Sequence, residues 1–325
     1  MGMVYMDMPG GKKMPGIGLG TWNAIDETEL ETALDAALEC GYRHIDTAFF
    51  YENEKIIGRV LHQWISAGKV KRDDLYIVTK LAVSGIHPDR VEMMLKKSLE
   101  DLRLKYLDLY LVHFPVGVNY VEGHVVPPAS QMRLEHTDHV ELWKKMEEQV
   151  DAGRTKAIGL SNFNIRQIER ILKCCRIKPA CLQIEIHAAM QQKELVDFCH
   201  KNGIVVVAYC PLGAPGYNDF LKSVGQKPKE LPNMLQNPVV KQVAQKHRKS
   251  PGQVMLRFLI QRNIVPIPKS VNPSRIKENI EVFDFNLDAG DMKKLSELDI
   301  GESARICDWK FFPALVDHPE FPWKA

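Results

Sequence analysis

LYIVTKLAVSGIHPDRVEMMLKKSLEDLRLKYLDLYLVHFP, residues 75–115, decides the fold. Leu75–Leu81 is a short apolar run of strand type, and Val91, Met94, Leu95, Leu99 and Leu102 then recur at helical spacing. Leu107–Val112 is again an apolar strand, so the stretch is one β-α-β unit. The same unit recurs outward in both directions. Upstream lie a hairpin from Val4 to Met14 around Pro9-Gly10-Gly11, a strand Ile17–Trp22, and a helix bearing Leu30, Ala33, Leu34, Ala37 and Leu38. That helix opens on Asp26 and Glu29, spaced as a capping box, and ends at Gly41. His44–Ala48 and a helix with Ile57, Val60, Leu61, Trp64 and Ile65 follow.

Downstream, strands are expected at Ala157–Ser161, Leu182–His187, Ile204–Tyr209 and Ile264–Pro268. Helices are expected near 138–151, 165–173, 192–201, 238–248, 251–262 and 273–281. Eight strands after the hairpin, most followed by a helix, favour a (β/α)8 TIM barrel over a six-stranded doubly wound sheet. The expectation is an α/β protein with one barrel domain over 1–325, an N-terminal β-hairpin and long mouth loops. Three stretches lack periodicity: 115–137, 211–236 and the tail 299–325. Trp309, Phe311, Phe312, Phe321 and Trp323 make the tail too apolar for a solvated end, so it is expected to dock near the mouth.

Composition agrees with a globular enzyme-sized chain. The 325 residues are 45% hydrophobic and 26% charged, with 43 Lys+Arg against 41 Asp+Glu. A net charge of +2 argues against a nucleic-acid surface. Seven scattered cysteines, without C-x-x-C or His-rich spacing, fit a reducing compartment and neither a disulfide framework nor a metal site. The start MGMVYMDMPGG has no signal-peptide pattern and carries Met6 where myristoylation wants Ser or Thr. No apolar run reaches membrane-helix length, so a cytoplasmic protein is expected.

The usual cofactor and nucleophile signatures are missing. Gly16-Ile17-Gly18-Leu19-Gly20 has the wrong spacing for a dinucleotide fingerprint and lies within a strand; no P-loop, H-E-x-x-H or G-x-S-x-G occurs. The strand ends are more informative. Strand two runs into Asp46 and, shortly after, Tyr51; strand three ends at Lys80; strand four ends at His113. In a barrel these converge on the C-terminal mouth. A phenol ordinarily titrates near 10, and an ammonium such as Lys80 is expected to lower that value while Asp46 keeps the Lys charged. Tyr51 then serves as proton donor to a carbonyl oxygen, with His113 orienting it, and a nicotinamide supplies the hydride without a Rossmann fold.

At these residues the chain resembles the aldo-keto reductases. GYRHIDTAFFYENE (41–54), LDLYLVHFP (107–115), GLSNFN (159–164), QIEIH (183–187), AYCPLG (208–213) and IPKSVNPSRIKENI (267–280) carry the likeness across most of the chain. The resemblance implies a barrel using NADPH, a small-molecule carbonyl substrate, and Asp46, Tyr51, Lys80 and His113 as the catalytic tetrad. It implies that Ser161, Asn162 and Gln183 bind the nicotinamide carboxamide and that Tyr209 stacks on its ring, with Thr21, Trp22 and Leu212 also at the cofactor. Lys269, Ser270 and Arg275 are implied for the 2′-phosphate, and Glu278 with Asn279 for the adenine. Two cations beside a helix start suit an anion, which favours NADPH over NADH.

Some positions depart from the family pattern. Leu182 replaces a frequent Asn, His187-Ala188-Ala189 replaces His-Pro-aromatic, and Ala82 and Phe114 stand where Trp is common. The pocket is therefore expected to be wider near Ala82, walled by Trp22, Phe50, Phe114, Tyr120, Trp309 and Phe312, and suited to apolar or steroid-like carbonyls. The tail ARICDWKFFPALVDHPEFPW (304–323) is similar to that of insect members, among them 3-dehydroecdysone reductases. A monomer is expected. Two rivals remain at this point: a non-catalytic relative, such as a channel accessory subunit or lens protein, and a barrel enzyme in which Lys269 and Arg275 hold a substrate phosphate.

Overall fold

The structure is a computed structural model that describes residues 4–310 and 312–323. Phe311, one of the tail aromatics, lies outside the described residues. Eight parallel strands make one sheet in chain order: β1 (Leu19–Gly20), β2 (His44–Asp46), β3 (Tyr76–Leu81), β4 (Leu109–Val112), β5 (Ile158–Ser161), β6 (Cys181–Glu185), β7 (Val205–Tyr209) and β8 (Ile264–Pro266). The sheet curls until its edges meet. Gly18 N donates to Pro266 O at 3.0 Å, Gly20 N donates to Pro268 O at 3.1 Å, and Gly20 bridges Lys269 in parallel. A Cβ on Gly20 would sit 2.7 Å from Ile267 O, so the seam closes only over a residue without a side chain. The (β/α)8 barrel expected from the strand count is the fold observed.

Strands and helices form where the apolar spacing places them. Helices Glu27–Glu39, Glu54–Ser66, Val91–Asp101, His139–Asp151, Ile165–Leu172, Lys193–Lys201, Pro251–Gln261 and Pro273–Ile280 turn their apolar faces onto the sheet. Asp26 accepts from Glu29 N at 2.9 Å, but only this half of the anticipated capping box forms. The first strand is shorter than expected, because only Leu19 and Gly20 pair in register with β2. Helix Ala289–Ser296 is not anticipated by the periodicity; Asp288 and Asp291 build its capping box. The aperiodic segments also hold short elements, a hairpin pairing Gly117–Val118 with Leu134–Glu135 and a helix Tyr217–Ser223.

The N-terminal hairpin, Tyr5–Asp7 with Lys13–Pro15, seals one end of the barrel. Met8 and Met14 from it join Tyr76, Val78, Leu109, Leu111, Val207 and Val265 in the apolar filling. The opposite, C-terminal end is left for the long loops. There the tail is held by several contacts. The buried Glu185 carboxylate accepts from Ile306 N at 2.7 Å and Cys307 N at 2.8 Å, and Trp309 stacks on Phe114 with ring centroids 4.3 Å apart. Further out, Glu320 pairs with Arg170 at 2.8 Å and Asn164 donates to Pro322 O at 3.1 Å.

Candidate active site

The strands deliver their terminal residues to one cavity of about 600 Å³ at the C-terminal end. Asp46 closes β2 and Lys80 lies near the end of β3, both fully buried. Lys80 Nζ donates to Asp46 Oδ1 at 2.5 Å, to Thr47 O at 2.8 Å and to Tyr51 Oη at 3.2 Å. All three ammonium donors are thereby used. Tyr51 sits in a single 3-10 turn, Phe49–Tyr51, just after β2, which aims its hydroxyl at the base of the cavity. His113 follows β4, its ring centroid 5.6 Å from that of Tyr51. The four residues of the expected tetrad therefore share one site.

Electrostatics depart from the expectation in one respect. Burial pushes the Tyr51 hydroxyl well above the ordinary phenol range, and the Asp46 charge pushes the same way. Lys80 does not lower it on balance, because its charge is already matched by Asp46 in a dehydrated pocket. Burial lowers the Lys80 pKa, with Asp46 opposing that shift. Burial and the Lys80 charge drop His113 well below the ordinary imidazole range, so its ring is neutral. Its Nδ1 is buried without a hydrogen-bond partner among the described residues.

The cavity extends from the tetrad as a trench. Ser161 ends β5, Gln183 lies on β6 and Tyr209 ends β7. Gln183 Nε2 donates to Asp46 Oδ2 at 2.7 Å, so the amide also orders the carboxylate that holds Lys80. Asn162 is in the left-handed region at φ 65 and donates to His113 O at 2.9 Å, while Tyr209 Oη donates to Asn162 Oδ1 at 2.7 Å. Thr21 Oγ1 donates to Asp46 O at 3.0 Å. Trp22 and Leu212 lie on the trench wall, and Lys269, Ser270, Arg275, Glu278 and Asn279 line its far end.

That far end has the character of an anion site. Among the described residues neither Lys269 nor Arg275 makes an ion pair, although they stand close enough for burial and the Arg275 charge to lower Lys269, with only Glu29 opposing. Asn272 caps the helix Pro273–Ile280 beside them, accepting from Arg275 N at 3.1 Å. Two cations without an ion-pair partner among the described residues, at a helix start, fit a phosphate. Among the described residues no group of three or more His, Cys, Asp or Glu stands together as a metal cluster.

The apolar wall needs correction. Trp22, Phe50 and Trp309 do face the cavity. Ala82 and Phe114 do not: both are fully buried, Phe114 behind the Trp309 ring and Ala82 in the turn after β3, so no widening arises at Ala82. Tyr120 faces the helix Val91–Asp101 instead, its hydroxyl accepting from Lys97 at 2.9 Å. Phe312 packs on Phe50 and Trp309, with centroids 6.0 and 6.3 Å away, rather than on the trench itself. Three further residues belong to this region without having been singled out as site residues. Glu185, within the QIEIH block, anchors the tail, and Cys210 and Cys307 lie on the cavity wall. Only spatial proximity identifies the cysteines.

Known proteins resemble this chain over nearly its whole length. Residues 16–300 match the aldo/keto reductase family. Aldo-keto reductase family 1 member A1 of Gallus gallus is 41% identical, covering 99% of this chain and 98% of its own length. The family 1 member C13 protein of Mus musculus is 40% identical over 96% of this chain and 95% of its own. Among solved structures, the aldose reductase from Schistosoma japonicum superposes with a TM-score of 0.88 at 40% identity over 99% of each chain. A complete barrel, a match over residues 16–300 and relatives similar over nearly their whole length make this chain a member of the aldo-keto reductase family, and so an oxidoreductase.

Proposed function

We propose that the protein reduces aldehydes or ketones to alcohols with NADPH, Tyr51 acting as the proton donor. The observation that carries this is the Lys80 ammonium, which touches both the Asp46 carboxylate and the Tyr51 hydroxyl at the base of an apolar-walled cavity. NADPH, when bound, supplies the hydride. Lys269, Ser270 and Arg275 are suited to its 2′-phosphate, Glu278 and Asn279 to the adenine, and Ser161, Asn162, Gln183 and Tyr209 to the nicotinamide end. Because Lys269 and Arg275 lack a protein carboxylate partner among the described residues, a 2′-phosphate neutralises them and NADH does not.

Tyr51 is protonated at neutral pH, since burial raises its pKa, and a donor must hold its proton until it is needed. As the carbonyl oxygen gains charge, the Tyr51 proton moves to it, and Lys80 stabilises the phenolate left behind at 3.2 Å. Asp46 holds Lys80 charged and in line. Neutral His113 donates a hydrogen bond to the carbonyl oxygen without competing as a cation. Trp22, Phe50 and Trp309 give the substrate end an apolar face that favours apolar carbonyls, steroid-like ketones included. Among the described residues no helix is long and apolar enough to cross a membrane.

The decisive experiment follows NADPH absorbance with a panel of aldehydes and ketones, for the wild type and Tyr51→Phe. The variant should lose turnover by about 10²–10⁴-fold while its NADPH dissociation constant changes less than about twofold. Full activity in Tyr51→Phe would move the proton donor elsewhere.

A further inference from the structure

We propose that Cys210 and Cys307 form a dithiol site that reacts with low-molecular-weight disulfides and closes into an intramolecular disulfide across the trench wall. The two sulfurs stand 3.7 Å apart, although 97 residues separate them in the chain. Cys210 follows β7 and Cys307 belongs to the tail, so the pair exists only because the loop after β7 and the tail meet.

Both backbones are held. Cys210 lies in the left-handed region at φ 51, in a turn closed by Gly213 N donating to Cys210 O at 2.9 Å. Cys307 N donates to the buried Glu185 carboxylate at 2.8 Å. Both residues are half-buried and line the cavity, which gives a small reagent a route to the pair. Around them the loop after β7 and the tail form a small apolar cluster with Trp22, Tyr217 and Ile306, separate from the barrel core. The sulfurs must close from 3.7 Å to roughly 2.05 Å, a movement within reach of side-chain rotation and a small loop shift.

The chemistry balances with one disulfide reagent, RSSR. The Cys210 thiolate attacks one sulfur of RSSR, forming a mixed disulfide and releasing the first RSH once that thiolate is protonated. Cys307, held protonated by its contact with Cys210 and by burial, acts second. Its sulfur loses its proton to solvent and attacks the Cys210 sulfur, releasing the second RSH. Two protein thiols are oxidised and one reagent disulfide is reduced to two thiols. The resulting bond ties the loop after Tyr209 to the tail that carries Trp309. This chemistry is independent of whether Tyr51 is the proton donor.

The test treats the full chain with oxidised glutathione, then measures intact mass, free thiols in denaturant, and cross-linked peptides after non-reducing digestion. The wild type should lose about 2 Da and two of its seven thiols, with the Cys210 and Cys307 peptides joined, and a dithiol reductant should restore all seven. Cys307→Ser should instead accumulate a glutathione adduct on Cys210, because no resolving thiol remains. Stable adducts on both cysteines of the wild type without a cross-link would overturn the proposal. So would seven thiols surviving, or a bridge confined to the neighbouring Cys174 and Cys175.

Discussion

Replacing Asp46 by Asn tests the electrostatic centre of the site, because it removes a charge while preserving shape. Lys80 is fully buried, and Asp46 is its anion at 2.5 Å; its other acceptors, Thr47 O and Tyr51 Oη, are neutral. Without Asp46 the burial that already lowers Lys80 loses its main opponent, the more weakly coupled Cys181 and Glu54 being all that still raise it. If the ammonium stays charged, the variant bears an unpaired buried cation, a loss of about 3–5 kcal/mol. If Lys80 instead is neutral in the fold at pH 7, folding must first deprotonate an amine that ordinarily titrates at 10.5, which costs about 5 kcal/mol at about 1.36 kcal/mol per pH unit. Both routes therefore predict a deficit of several kcal/mol at pH 7. The second adds a signature. A neutral folded Lys80 and a protonated unfolded one mean that the unfolded state binds one more proton, so the variant gains about 1.36 kcal/mol of stability per pH unit between neutrality and about pH 10. Denaturant unfolding of wild type and Asp46→Asn from pH 7 to 10 should show a deficit that shrinks as pH rises. A deficit under about 1 kcal/mol at pH 7 would refute the idea that Asp46 keeps Lys80 charged.

The other expectations concern separate parts of the trench and its frame. Arg275→Ala should weaken NADPH roughly 10–100-fold and NADH less than about twofold, read by fluorescence titration; equal weakening would remove the 2′-phosphate assignment. Glu54, buried under Thr79 and Ser98, has its carboxyl pushed up to about 7, chiefly by burial. Folded Glu54 thus holds a proton that the unfolded chain has released, so its contribution is full below about 4.5 and is lost as pH rises through about 7, a fall of about 3 kcal/mol. Glu54→Gln should lack that fall in unfolding curves from pH 4.5 to 8, and parallel curves for the two proteins would contradict it. Trp309→Ala should raise KM for bulky apolar carbonyls about tenfold, corresponding to about 1.5 kcal/mol of lost contact, and leave small aldehydes nearly unchanged; equal losses on both would assign Trp309 to the fold alone.

The barrel was legible because its evidence is local. Val91, Met94, Leu95 and Leu99 need only a helix and a sheet to explain their spacing, and eight such units leave few topologies. The polar residues ending strands were legible for the same reason, since chain order and parallel pairing alone bring Asp46, Lys80 and His113 to one mouth. What the sequence concealed depends on direction and dehydration. Phe114 and Trp309 are both aromatic, and only the tail's path shows that one stacks behind the other and loses the cavity. Tyr120 sits in an aperiodic loop, where no period fixes which way a side chain turns.

The Tyr51 pKa is the instructive case. Counting neighbours gives an ammonium beside a phenol and a lowered value, whereas burial acts on both groups and Asp46 cancels the ammonium it holds. A high pKa in the resting site and phenolate stabilisation during reaction do not conflict. In the proposed reaction Lys80 matters most once negative charge collects on Tyr51 Oη, 3.2 Å from a cation that needs no reorganisation to receive it. Asp46 fixes that cation from one side and Gln183 fixes Asp46 from the other, so the chain of contacts from β6 to Tyr51 is a preset electrostatic mount for the proposed proton transfer.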